Sequence, residues 1–212
     1  MRKPSQLYRV IVVLAALTAG GVGVAPGVAR ADDFAKDAGA FVQSLGDQAI
    51  KIITDTSLNP VDREARFHEM FVGSFDVPAI GRFVLGRYWR TASDAQKTEF
   101  LKLFEDMIVK TYNNRFKDYK GEQFTVAATR VDGDSAMVTT NVSQPKGGPP
   151  IKVDWRVLKP QGKLKIVDVV IEGVSMSVTQ QQEFGSVIQR NGGQIDGLLS
   201  TMRERVQQAA KS

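Results

Sequence analysis

The chain has 212 residues, with 28 basic and 23 acidic side chains, one histidine and no cysteine, for a formal net charge of +5. With no cysteine and only His68, it can build neither a cysteine nucleophile nor a zinc site of the usual nitrogen and sulfur ligands. It also has no glycine loop of the phosphate-cradling or dinucleotide-binding pattern.

The first thirty residues read as an export leader. Arg2, Lys3 and Arg9 make a basic start, residues 10–24 are apolar or small throughout, and Ala29-Arg30-Ala31 is a small-residue cleavage motif ahead of Asp32 and Asp33. The apolar run of about 15 residues contains Gly20, Gly21 and Gly23 and falls short of the about 20 that a spanning helix needs. Cleavage is expected after Ala31, leaving 32–212 as one domain in the periplasm. Arg2, Lys3, Arg9 and Arg30 leave with the leader, which takes four from 28 and sets 24 basic against 23 acidic side chains, a net +1. The pI of about 9.5 therefore belongs largely to the leader. The domain has no charge excess to drive nonspecific binding to nucleic acid. Without cysteine there is no disulfide, so stability must come from packing.

Along residues 34–53 the apolar residues Phe34, Ala38, Phe41, Val42, Leu45, Ala49 and Ile52 recur at steps of three and four, one face of a helix. Asn59-Pro60 starts a second helix, with Asp62 and Glu64 near its positive end, Phe67, Met70 and Phe71 on its inner face, and Gly73 as its stop. Asp76 caps a short third helix that carries Pro78 in its first turn and ends near Gly86. Ser93 with Gln96 is a capping box. It opens the longest helix, 94–117, whose stripe is Phe100, Phe104, Met107, Ile108, Thr111 and Tyr112.

The period then changes to two. Phe124, Val126 and Ala128 alternate with Thr125, Ala127 and Thr129, Asp132-Gly133-Asp134 is a hairpin turn, and Ala136, Val138, Thr140 and Val142 form the return strand. After a Gly/Pro loop, Ile151, Val153, Trp155 and Val157 alternate with Lys152, Asp154 and Arg156, so one sheet face is apolar and the other solvated. Residues 164–171 are apolar on both phases except Lys165 and Asp168, the pattern of a central strand. Thr179 is placed to cap a helix to Arg190, Asn191-Gly192-Gly193 breaks it, and Ile195, Leu198, Leu199, Met202 and Val206 mark the last. Helices, then strands, then helices give an α+β class, with helices packed on one face of a curved antiparallel four-stranded sheet that can enclose an apolar pocket.

Few residues carry chemistry. His68 reads as a surface or hydrogen-bonded histidine, since nothing beside it in sequence supplies the rest of a site. Gly173-Val174-Ser175-Met176-Ser177 lacks the closing glycine of a nucleophile elbow and reads as a strand-to-loop exit. Asp168 lies in an apolar strand, where an unpaired carboxylate is costly, so an arginine or backbone partner is expected, with Arg156 on the neighbouring strand in reach. Arg82, Arg87 and Arg90 with Tyr88 and Trp89 form the one basic-aromatic cluster. It either faces a phosphate headgroup or is an amphipathic corner whose arginines reach water. The large apolar side chains Phe83, Tyr88, Trp89, Phe100, Phe104, Met107, Tyr112, Trp155 and Met176 either fill a core or line a hollow one.

The run Phe75-Asp76-Val77-Pro78-Ala79-Ile80-Gly81-Arg82-Phe83-Val84-Leu85-Gly86-Arg87-Tyr88-Trp89-Arg90 resembles the signature of the MlaC family, the toluene-tolerance type of periplasmic lipid carriers. Phe100-Leu101-Lys102-Leu103-Phe104-Glu105 with Tyr112 is similar to its long-helix motif. Val153-Asp154-Trp155-Arg156 is similar to its third strand, and Ile166-Val167-Asp168-Val169-Val170-Ile171-Glu172-Gly173-Val174-Ser175 to its last strand and exit. Ser186-Val187-Ile188-Gln189-Arg190-Asn191-Gly192-Gly193 resembles the hopanoid-associated HpnM branch. One departure is Gln181-Gln182 ahead of Glu183, where an arginine is expected, which puts one salt bridge in doubt.

The resemblance implies a soluble periplasmic shuttle that takes phospholipid or hopanoid tails into a pocket between sheet and helices. It implies exchange with an inner-membrane MCE-domain ABC transporter complex and with an outer-membrane lipoprotein complex. It implies neither an enzyme nor a nucleic-acid partner, and no cofactor or metal besides the lipid cargo. On this reading Phe83, Tyr88, Trp89, Phe104, Met107, Tyr112, Val153, Trp155, Val169 and Met176 line the tail pocket, and Arg82 or Arg87 sits near the headgroup. Two other classes stay open: an envelope adaptor that docks transporter components around a solid core, and a hydrolase built on Asp168.

Overall fold

The chain is seen as a computed structural model that describes residues 26–115 and 118–209. The basic start and apolar run of the expected leader lie outside the described residues, as does Lys117, the expected end of the long helix. Ala29-Arg30-Ala31 falls in the first turns of α1 (Pro26–Thr54), which begins eight residues earlier than the apolar periodicity at Phe34.

Local caps start the next three helices. Asn59 Oδ1 accepts the Asp62 N–H at 2.9 Å and Pro60 occupies the first turn of α2 (Pro60–Ser74). Asp76 Oδ1 accepts the Ala79 N–H at 3.0 Å at the head of α3 (Val77–Leu85). Before α4 (Asp94–Arg115), Ser93 N–H donates to Gln96 Oε1 at 2.9 Å and Gln96 N–H to Ser93 Oγ at 3.2 Å, both arms of the capping box. Each such cap stabilises its helix by about 1 kcal/mol. Gly86, at φ +57, turns the chain out of α3 into a 3-10 turn, Gly86–Arg90, that the sequence pattern did not announce. A side chain at Gly86 would also meet Gln181 Nε2 at 3.1 Å.

The sheet is an antiparallel meander in chain order of β1 (Gln123–Asp132), β2 (Ser135–Ser143), β3 (Ile151–Leu158), β4 (Lys165–Ile171) and β5 (Val174–Ser175). Four strands were expected; the fifth is a two-residue strand pairing with Val170 and Ile171. β4 is therefore not central. β3 pairs one side fully, while the other meets only β5 and a parallel bridge between Phe75 and Ile166, closed by Asp76 N–H to the Ile166 carbonyl at 2.9 Å. Its apolar character on both phases reflects α3 and α5 (Met176–Arg190) packing beside it. α5 is capped by Ser175, whose Oγ accepts the Val178 N–H at 3.1 Å, and not by Thr179, whose hydroxyl donates back to the Ser175 carbonyl. Asn191-Gly192-Gly193 ends α5 before α6 (Ile195–Ala209).

Two apolar clusters result. In the first, α1 lies on the sheet, and Ala38, Val42 and Leu45 pack on Ala136, Val138, Val157 and Ile166. Gly46 makes this approach possible, since a Cβ there would lie 2.3 Å from the Phe124 ring. The second joins α2 to α6 around Phe71, Phe100, Phe184, Leu198, Leu199 and Met202. The opposite sheet face is polar, with Lys152 paired to Asp154 at 3.2 Å and Arg156 to Asp132 at 3.7 Å.

Candidate functional site

The two clusters meet at Met70 and Phe75, which among the described residues are the two partly buried side chains that pack against both. Met70 comes from the inner face of α2, and Phe75 from the extended residue after it, which the parallel bridge to Ile166 ties to β4. Ile52, near the end of α1, packs on the helical cluster although the middle of α1 belongs to the sheet cluster. Together these residues define a seam with a sheet wall on one side and a helical wall on the other.

The sheet wall gathers three of the expected residues. Val153 is buried on the inner face, Trp155 stands two residues on, and Val169 is its register partner on β4. Trp155 is held from two directions: its ring lies edge-on to Phe124, centroids 6.0 Å apart, and its Nε1 donates to Thr140 Oγ1 at 2.9 Å. Thr140, fully buried, passes its own hydroxyl to the Val153 carbonyl at 3.1 Å. The indole is thus fixed with its polar edge satisfied and its apolar body half-buried.

The helical wall takes Tyr88, Trp89, Phe104 and Met107. Phe104 is fully engaged in that cluster, stacked on Phe100 at 5.9 Å and edge-on to Phe184 at 6.3 Å. Tyr88, Trp89 and Met107 are partly buried. Phe83, 48% exposed on α3, and Tyr112, 44% exposed on α4, are in neither cluster. Met176 is partly buried at the first residue of α5. Arg82 is exposed on α3, and Arg87 lies one residue into the 3-10 turn, donating to Tyr88 Oη at 2.9 Å. The residues that join the walls, Met70, Phe75 and Ile52, were read from the sequence only as helix-face or signature positions.

Asp168 finds the backbone partner expected of it, but not Arg156. Its Oδ1 accepts the N–H groups of Val169 at 2.9 Å and Ser177 at 3.1 Å, and its Oδ2 accepts the Ser175 hydroxyl at 2.7 Å. Arg156 is its register neighbour, yet turns to Asp132 and to Ser135 Oγ at 3.3 Å. The carboxylate at the head of α5 is positioned to interact favourably with that helix's positive end. Ser175, which also caps the helix, joins strand to helix and does not lead into a loop. His68 is bonded to Glu105 across α2 and α4, in a seam that Lys110 and Glu64 also close at 3.1 Å. Glu183 pairs with Arg205 of α6 at 2.7 Å, and Gln181, ahead of it, donates its Nε2 to the Phe83 carbonyl. Among the described residues, no helix is long and apolar enough to cross a membrane.

The family model described as MlaC protein matches residues 43–204. An intermembrane phospholipid transport system binding protein from Haemophilus influenzae is 27% identical over 132 residues, 60% of this chain and 61% of that protein. A toluene tolerance protein from Pseudomonas putida is 24% identical over 127 residues, 59% of each chain. The chain thus spans about three fifths of the length of these curated relatives. Among solved structures, the phospholipid-binding protein from Ralstonia solanacearum, determined in complex with a phospholipid, has a TM-score of 0.72 at 24% identity, covering 82% of this chain and 98% of that one. The likeness establishes a shared fold of helices on a curved antiparallel sheet.

Proposed function

The chain belongs to the MlaC protein family, and on that basis we propose that it is a phospholipid carrier that hides acyl tails at the seam between its two apolar clusters. The observation that carries this reading is the seam itself. Met70 and Phe75 bridge two separately packed clusters, and large apolar side chains packed against one or the other, Trp155 and Val169 on the sheet side and Met107 and Tyr88 on the helical side, stay only partly buried. A tail inserted between the walls would complete the burial of both.

The energetics favour such a carrier. Each methylene left in water costs about 0.8 kcal/mol, so a tail of about 15 methylenes costs roughly 12 kcal/mol. A lipid therefore crosses an aqueous gap slowly unless something covers its tails. The cover needs apolar walls and no reacting groups. Tyr88, Trp89, Phe104, Met107, Val153, Trp155, Val169 and Met176 stand as wall residues, with Phe83 and Tyr112 at the rim and Arg82 or Arg87 toward the headgroup.

The leader read from residues 1–31 places the carrier in the periplasm as a soluble domain, exchanging lipid between an inner-membrane ABC transporter complex and an outer-membrane lipoprotein complex. Phospholipid is the cargo of choice because two of the similar proteins are named for it; the HpnM-like run 186–193 makes hopanoid the alternative.

The test places a charge in each wall. Val169→Asp and Met107→Asp, purified from periplasm and checked for fold by circular dichroism, should each lose bound lipid by phosphorus assay and mass spectrometry of the extract. Folded variants that both keep wild-type lipid content would refute the seam as the tail site.

A further inference from the structure

A cleft of about 620 Å³ opens between the 3-10 turn Gly86–Arg90, the first turn of α4 and the turn that joins α5 to α6. Arg87, Tyr88, Arg90 and Thr91 form one wall, Gln96 the floor of the α4 end, and Gly193 to Ile195 the other wall. No carboxylate lines it. The nearest in sequence, Asp196, is engaged by Gln96, whose Nε2 donates to its Oδ1 at 2.9 Å.

Its two arginines share one concavity and are not neutralised there, although exposed Arg66, Arg82 and Arg190 also lack an ion pair among the described residues. Arg203 pairs with Glu99, Arg205 with Glu183 and Arg156 with Asp132. Among the described residues neither Arg87 nor Arg90 has an ion-pair partner. Arg87 is nonetheless held in place. Its guanidinium carbon lies 5.0 Å from the centroid of the Tyr88 ring and one amino group donates to Tyr88 Oη. A neutral ring orients the guanidinium without cancelling its charge, and most of its five donors stay free. Across from them Gly193, at φ +79, carries no side chain to fill the cleft, and its N–H is given to the Ile188 carbonyl at 2.9 Å.

Two uncompensated guanidinium groups in one concavity make a local positive potential on a domain whose charge is otherwise balanced. The planar fork of arginine matches the oxygens of a phosphate in a bidentate fashion that lysine does not reproduce. We propose that this cleft is a phosphate-binding site, with Arg87 and Arg90 as its anchors. It deepens the carrier reading only as to the source of the phosphate, a phospholipid headgroup or free phosphate; the site itself stands on the cleft.

The test titrates the isotope-labelled domain with inorganic phosphate and follows arginine Nε–H and backbone amide signals by NMR. Saturable shifts at Arg87, Arg90 and Gly193 are expected, weakened about tenfold or more in Arg87→Gln/Arg90→Gln and unchanged in Arg190→Gln. Shifts that never saturate and spread evenly over all arginines, or an affinity unchanged in the double variant, would overturn the site. Sedimentation with phosphatidylglycerol vesicles then separates the sources. Loss of vesicle binding in the double variant supports a headgroup phosphate at the site. Phosphate binding lost without any change in vesicle binding supports the same site with free phosphate as its ligand. Bound lipid is counted on the same samples: its absence from wild type would sink the carrier reading and leave the titration to decide the cleft.

Discussion

Replacing Asp168 removes a carboxylate that joins β4 to the head of α5. The structure sets the size of the loss. Asp168→Ala strands the N–H of Ser177, which is buried, together with the Val169 N–H and the Ser175 hydroxyl, which are partly exposed. A hydrogen bond to a charged group contributes about 1.5–3 kcal/mol, and a stranded buried donor costs about 1–3 kcal/mol. With water replacing part of what the exposed donors lose, and the helix-end charge adding about 0.5 kcal/mol, the total is about 3–4 kcal/mol. Asp168→Asn keeps one acceptor oxygen for the two N–H groups and should cost about 1–2 kcal/mol. Arg156→Ala breaks an exposed ion pair to Asp132 and a long, part-buried hydrogen bond to Ser135 and should cost about 1 kcal/mol. Urea unfolding followed by circular dichroism reads these as shifts of midpoint at constant slope. Equal costs for Asp168→Asn and Asp168→Ala would refute the acceptor argument. A strongly non-additive Asp168→Asn/Arg156→Ala pair would show that the two side chains interact directly.

Other substitutions test the packing and the charge more briefly. Gly46→Ala drives a methyl into the Phe124 ring and should destabilise by about 1–2 kcal/mol after its helix-propensity gain, whereas Gly185→Ala on α5, with nothing within 4 Å, should stabilise by up to about 1 kcal/mol; thermal melts of the pair should move in opposite directions. Trp155→Phe removes the indole donor to buried Thr140 Oγ1 and should cost about 1–2 kcal/mol beyond the lost area, readable by chemical denaturation. Asp55 is held below the usual carboxylate range, first by the Ser57 hydroxyl and then by the Ser57 N–H. A lowered folded-state value means stability present above the unfolded value and lost as pH falls through the folded one. The destabilisation caused by Ser57→Ala should therefore be seen near neutral pH and vanish in strong acid, measured as the difference in urea midpoint at the two pH values.

Where a signal was local, the sequence could be read closely. Asn59, Asp76 and the Ser93–Gln96 pair each cap the helix they precede, because a cap is settled within four residues. The Val153–Trp155–Val157 alternation placed the inner sheet face correctly for the same reason. Misreadings came where a distant partner decides. Ser175 caps α5 with Asp168 supporting it from β4, so Thr179 is left to bond backward. Residues 164–171 look like a central strand because an apolar surface does not record what covers it, and here α3 and α5 take the place of a strand. The seam was the least legible feature. Met70 and Phe75 are ordinary core residues by type, and only the fold shows that they touch two clusters at once. The basic-aromatic run 82–90 was visible, but Gly193, its opposite wall, lies a hundred residues further along the chain.

The most direct test of the carrier reading is native mass spectrometry of the periplasmic protein, with lipid extraction from the same sample. The account predicts a near-stoichiometric complex whose extracted mass is that of a diacyl phospholipid. A hopanoid would keep the seam and change its cargo. Protein that is bare as purified, and still bare after incubation with phospholipid liposomes, would contradict the account.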